Sequence, residues 1–149
     1  MIDSISEEPG KKVLTYDHGG DENGFLIELF KGGDKTEVYL TAASAGAFKG
    51  YHLHRVRAAR YMCVKGKMLI TLYRQTQEGG EPKWVREEHA LDASEPKRLF
   101  IPKDVATGLE NTGDEEAWLI NYPDPPYDPS LKDEQVEYTL DELERGVVK

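Results

Sequence analysis

The chain has 149 residues, 38% of them hydrophobic and 32% charged, which fits one soluble globular domain and leaves no room for two. Nineteen basic against 28 acidic residues give a formal charge of −9, which argues against nucleic-acid binding, and no apolar run approaches the ~18 residues of a membrane span. The single Cys63 excludes an internal disulfide and a multi-cysteine metal cluster, and with a first stretch (MIDSISEEPGKK) unlike a signal peptide it fits the cytoplasm.

Short strands dominate the pattern, in chain order. Thr36–Ala42 is rich in β-branched and aromatic residues. Arg60–Val64 and Lys67–Tyr73 flank Lys65-Gly66, a turn pair that predicts a hairpin. Gln77–Pro82 predicts a second turn, with a strand over Trp84–Leu91 after it. Arg98–Ile101 and Ala117–Tyr122 follow, separated by the polar stretch Asn111–Glu116, and prolines punctuate the strand ends. Only the tail reads as helical: Thr139 and Glu142 form a capping box ahead of Leu143. Many short strands at close spacing predict an all-β sandwich or small barrel with a short C-terminal helix. Charge adds a clue. From Val38 to Gln77 there is no Asp or Glu, whereas Lys49, Arg55, Arg57, Arg60, Lys65, Lys67 and Arg74 fall there. That is either a surface for a small anionic ligand or a solvated strand face.

The chemical centre is Gly50-Tyr51-His52-Leu53-His54. On a strand, residues two apart share a face, so His52 and His54 project to one side. The motif resembles the first cupin signature, Gly-x5-His-x-His-x4-Glu-x6-Gly. Gly46, His52, His54 and Gly66 keep its spacing, and Ala59 stands at the Glu position. Pro102, Asp104, Thr107 and Asn111 fall on the second signature, Pro-x-Gly-x2-His-x3-Asn, with its Gly and His replaced. The resemblance implies a cupin jelly-roll barrel, a single domain over 1–149 with its core at about 21–129 and a tail at 130–149. Two of the four family ligands are gone, so the expectation is no functional metal.

Within the cupins the chain is similar to the dTDP-4-dehydrorhamnose 3,5-epimerases and their shorter relatives, from about Asp21 to Asp141. Asp21-Glu22-Asn23-Gly24 with Glu28 resembles the nucleotide-binding stretch, Lys49-Gly50-Tyr51-His52 the histidine strand, and Asn121–Pro129 the ending of the shorter relatives. The resemblance implies a cofactor-free epimerase of a nucleotide-linked 4-keto-6-deoxyhexose, and a homodimer. It puts the base at His52, oriented by Asp141 with Glu142 and Asp133 as rivals. His54, Lys49, Glu28, Asn23, Tyr51, Arg60, Asn121 and Tyr127 are the implied substrate contacts. The family's acid is a Tyr whose position is Asn121 here, so the neighbouring Tyr122 is the candidate acid. Two alternatives stand beside this. One is a sugar-nucleotide 3,4-ketoisomerase, whose His-Ala-His-Lys motif resembles His52-Leu53-His54-Arg55; the other is a sugar-binding cupin without catalysis. His89 reads as a solvated surface residue, Cys63 as core, and Trp84 and Trp118 as barrel packing.

Overall fold

The computed structural model describes residues 4–16, 19–28, 38–125 and 128–149, with the side chains at 11, 13, 15, 23–28 and 78 outside that description. Among the described residues twelve strands run in chain order: β1 (Ser6–Pro9), β2 (Lys11–Tyr16), β3 (Glu22–Glu28), β4 (Tyr39–Ala43), β5 (Phe48–His54), β6 (Ala59–Lys65), β7 (Lys67–Glu78), β8 (Glu81–Asp92), β9 (Lys97–Ile101), β10 (Val105–Asn111), β11 (Ala117–Asn121) and β12 (Gln135–Glu137). One helix, α1 (Leu140–Glu144), closes the list. Two five-stranded antiparallel sheets face each other, β1-β9-β6-β11-β4 and β12-β5-β10-β7-β8, and β2 and β3 form a separate hairpin. This is the jelly-roll barrel that the cupin spacing implied.

Strand alternation builds the core. Ala59, Cys63, Leu99, Ile101, Ala117 and Leu119 point inward from the first sheet; Met68, Ile70, Leu72, Leu91 and Val105 meet them from the second. Ile70, Leu72 and Leu99 are wholly buried, each stabilising the fold by about 1.5–3 kcal/mol. The opposite side of the second sheet carries its own cluster: Tyr51, Leu53, Tyr73 and Ala106, covered by Tyr138 and by Leu143 of α1. The capping box forms as read, with Thr139 Oγ1 accepting from the Glu142 amide and Glu142 accepting from the Thr139 amide.

Some expectations need correction. Lys65-Gly66 is no hairpin, because β6 pairs with β9 and β11 whereas β7 pairs with β8 and β10. Gly66, at φ +73, is the corner where the chain passes from one sheet to the other, and a Cβ there would sit 3.1 Å from that of Ala117. The second turn does form, with Gly79 and Gly80 at φ +67 and +81 joining β7 to β8. The two sheets also reach beyond the expected core span: β1 is the edge of one and β12 the edge of the other. Thr36 and Glu37 lie outside the described residues.

Candidate active site

Leu53 joins the outer cluster, so alternation sends His52 and His54 to the inner face of β5. Pairing agrees: His52 lies opposite Thr107, on the inward row of β10 between Val105 and Leu109. His54 opens onto a cavity of about 390 Å³ between the sheets, shared with Arg57, Tyr61, Asn121, Thr41 and Gln135. This polar end interrupts an otherwise apolar interior.

Two side chains, Glu134 and Arg57, hold His54 in place. Glu134, only 8% exposed, accepts from His54 Nδ1 at 3.0 Å, from the Arg57 backbone amide at 3.1 Å and from Arg57 Nε at 3.3 Å. The carboxylate, at 3.0 Å the nearer partner, can only accept, so it sets the imidazole proton on Nδ1 and leaves Nε2 its lone pair, although the purely donating Arg57 Nη2 lies 3.3 Å from the same Nδ1. Burial pushes the His54 imidazole below its ordinary pKa, and the Glu134 hydrogen bond offsets only part of that. Burial also opposes the charge on Glu134, but the His54 and Arg57 contacts win and hold the carboxyl below the usual range. Tyr61 lies across the cavity on β6. Burial raises its phenol to about 12, with the Arg57 charge pulling the other way.

His52 sits at the outer rim of the same face, its side chain 40% exposed. Its Nδ1 lies 3.3 Å from Gln135 Nε2 and 3.5 Å from Glu137 Oε1. Asp141 is elsewhere. It sits on α1, over the opposite side of the sheet, and accepts from Arg145 Nε at 2.7 Å. The helix is placed by burying Leu143 in the outer cluster, which carries Asp141 away from the inner face; β12 brings Glu137 to His52 in its stead. Glu142 caps the helix as described, and Asp133 is exposed beside Glu134.

The remaining expected residues divide cleanly. Asn121 lines the cavity, its Oδ1 accepting from the Arg60 amide at 3.3 Å. Tyr122 and Arg60 do not, because the pairing of Tyr61 with Asn121 turns both to the outer face. There the Arg60 guanidinium lies 5.2 Å from the Phe100 ring and 5.9 Å from that of Tyr122, itself 4% exposed. Tyr51 is also turned away, packed edge-on to Tyr73 in the outer cluster. Lys49 is exposed, its ammonium donating to the Ala42 carbonyl at 2.9 Å. Asn23 and Glu28 lie on β3 with their side chains outside the description, and Tyr127 lies outside the described residues.

Sequence reasoning missed Glu134, Arg57 and Tyr61 as site residues. Arg57 was visible only as one cation of seven, and Glu134 stood one position from a residue weighed for the same task. Other readings also shift. His89 is part-buried between Glu7 of β1 and Glu87 of β8, so it is no solvated surface residue. Trp84 packs on Tyr138 in the outer layer, and Trp118 is exposed under the Lys65 ammonium. Cys63 is buried as read.

The cupin metal positions do not fit a metal. Ala59 has no donor atom, and the Thr107 hydroxyl donates to the Val105 carbonyl at 3.4 Å. Among the described residues no three His, Cys, Asp or Glu converge on a common point. Asp104, at the Gly of the second signature, keeps the left-handed turn with φ +64. Asn111 keeps the signature's latch, donating to the carbonyls of Ala43 and Glu115 while accepting from the Gly113 amide.

A jelly roll with two inward histidines and, among the described residues, no metal-ligand cluster is the cupin-type barrel that the sequence spacing implied. The chain belongs to the polysaccharide biosynthesis C-terminal domain family, whose model matches residues 19–135. It is similar to the probable low-salt glycan biosynthesis epimerase Agl13 of Haloferax volcanii, 26% identical over 131 residues covering 83% of each chain. Among solved structures it superposes on a dTDP sugar isomerase from Desulfovibrio desulfuricans G20 with a TM-score of 0.72 at 17% identity, covering 91% of this chain and 85% of that one. On ChmJ, a 3'-monoepimerase from Streptomyces bikiniensis in complex with dTDP-quinovose, the TM-score is 0.71 at 18% identity, covering 96% and 73%.

Proposed function

We propose that this chain is a sugar-nucleotide epimerase that inverts C3 of a nucleotide-linked 4-keto-6-deoxyhexose for polysaccharide or glycan assembly. The observation that carries this is the pair of inward histidines, one locked to a buried carboxylate, beside a cavity inside an epimerase-type barrel. A 4-ketone acidifies the C3–H bond, because the electron pair released on deprotonation spreads onto the carbonyl oxygen. An imidazole near neutral pKa suits that proton. In this reading His52 is the base, with Glu137 beside it in the place expected of Asp141. His54, fixed by Glu134, offers Nε2 to a sugar hydroxyl. Asn121 adds a polar contact from the facing wall. No cofactor is needed.

The test is turnover of the 4-keto derivative of dTDP-quinovose in D2O, read by proton NMR. Inversion with deuterium at C3 is expected. His52→Asn should abolish deuterium incorporation, whereas His54→Asn should keep it with a raised KM. The reverse pattern would exchange the two roles.

One observation favours a second reading. His52 and His54 share one face of β5, which suits a ketoisomerase shuttling two protons on the same side of the sugar. A shifted carbonyl in the same spectra would establish it, and an unchanged sugar would leave a binding protein. We further propose a homodimer in the cytoplasm. The edge strand β4 exposes Tyr39 and Leu40, at 38% and 55%, and an apolar edge invites a second chain. Light scattering should give twice the chain mass. Among the described residues no helix is long and apolar enough to cross a membrane.

A further inference from the structure

Inversion needs a proton delivered to the face opposite the base, and neither residue expected to supply it can do so. The Asn121 amide has no accessible acidic form, and Tyr122 faces out of the barrel. The cavity wall contributed by the first sheet nevertheless holds two phenols. Tyr39 of β4, Asn121 of β11 and Tyr61 of β6 are register partners in one row across that sheet, and all three line the cavity. Tyr39 belongs to the edge strand and is partly solvent-exposed; Tyr61 stands on an interior strand against the apolar core. The histidines occupy the facing sheet.

We propose that Tyr61 is the proton donor, one strand over from the position where the resemblance expects the acid. The inference rests on the epimerase reading. In the first step the base takes the C3 proton, and the C–H electron pair forms the enolate with the C4 oxygen. In the second the enolate collapses to the ketone as C3 takes the Tyr61 hydroxyl proton from the opposite face, leaving a phenolate. The imidazolium then loses its proton to water and the phenolate regains one. The sum is an inverted carbon with no change of oxidation state. Arg57, whose charge acts on the Tyr61 phenol, stabilises the phenolate while it lasts. The raised phenol keeps its proton at any working pH, so the donor is always loaded.

The experiment compares wild type, Tyr61→Phe and Tyr39→Phe with the 4-keto derivative of dTDP-quinovose in D2O. Tyr61→Phe should lose inversion by roughly 10²–10⁴-fold while C3–H still exchanges for deuterium with retention, because the base works and returns a solvent deuteron to its own face. Tyr39→Phe, at the exposed end of the cavity wall, should keep inversion, with any change confined to KM. Persisting exchange also certifies that the variant is folded and binds substrate. Normal inversion by Tyr61→Phe overturns the assignment, as does loss of inversion in Tyr39→Phe alone. Joint loss of exchange and inversion in a folded Tyr61→Phe protein also overturns it, since that marks a binding role. A wild type that neither exchanges nor inverts fails differently, by removing the epimerase reading itself.

Discussion

The residue on which the site turns is Glu134, which satisfies an imidazole and a guanidinium at once while itself buried. Such a group is costly to remove, because its partners are left desolvated without an acceptor. Glu134→Gln should lower stability by about 2–3 kcal/mol. It should also depress the His54 imidazole further, since the carboxylate is what raises it against burial. Urea unfolding tests the first statement and an NMR titration the second: His54 below 6.5 in the wild type, lower still in the variant. The sign for folding follows. With His54 and Glu134 both depressed, their contribution is complete above 6.5 and declines on acidification, first through His54 and then below 4.5 through Glu134. None of this was legible beforehand. The histidines announced themselves by their spacing, but their carboxylates come from some 80 residues away, through a pairing of β12 with β5 that no local pattern records.

At the scale of elements, the longer strands with one wet face were legible, whereas the edge strands β1 and β12 and the buried β10 were not. β8 alternates from Val85 to Leu91, within the Trp84–Leu91 stretch read as a strand, and its first three residues, all exposed, were not read. β10 was missed as a strand because four successive residues, Val105 to Gly108, are buried, so no alternation remains. The β6–β7 corner misled for another reason: a glycine with positive φ serves a hairpin and a change of sheet equally well. Motif residues, by contrast, marked structural latches well. Asn111 ties β10 to the Ala43 and Glu115 carbonyls, and it is 1% exposed. Asn111→Ala should cost about 2–3 kcal/mol in urea unfolding while leaving KM unchanged, because none of its bonds reaches the cavity. Gly108 records a tighter demand, for a Cβ there would lie 2.8 Å from the Tyr51 ring and 2.9 Å from Phe48.

For the molecule as a whole, the two sheets are clamped along one edge by a titrating group. His89 of β8 bonds Glu87 beside it and Glu7 of β1 in the facing sheet. Burial works against its charge, but the two carboxylates prevail and raise its pKa above 6.5. A raised histidine stabilises fully below 6.5 and fades as pH climbs through the folded value; Glu7, lowered, contributes above 4.5. His89→Gln should therefore lower the melting temperature more at about pH 6 than at about pH 9, a contrast differential calorimetry can read. The opposite edge of the barrel is fastened differently. The segment from Glu134 onward supplies Glu134, Gln135 and Glu137 to the histidines through a three-residue edge strand, held from outside by Leu143 and by Trp84 Nε1 donating to the Val147 carbonyl. A strip so short opens at lower free energy than the sheets it borders. On warming, the carboxylates should detach while the barrel stays closed, leaving a folded but inert shell that recovers on cooling. Activity should fail several degrees below the calorimetric transition, with the Val136 amide exchanging long before that of Ile70; coincident loss would mean that strip and barrel melt as one.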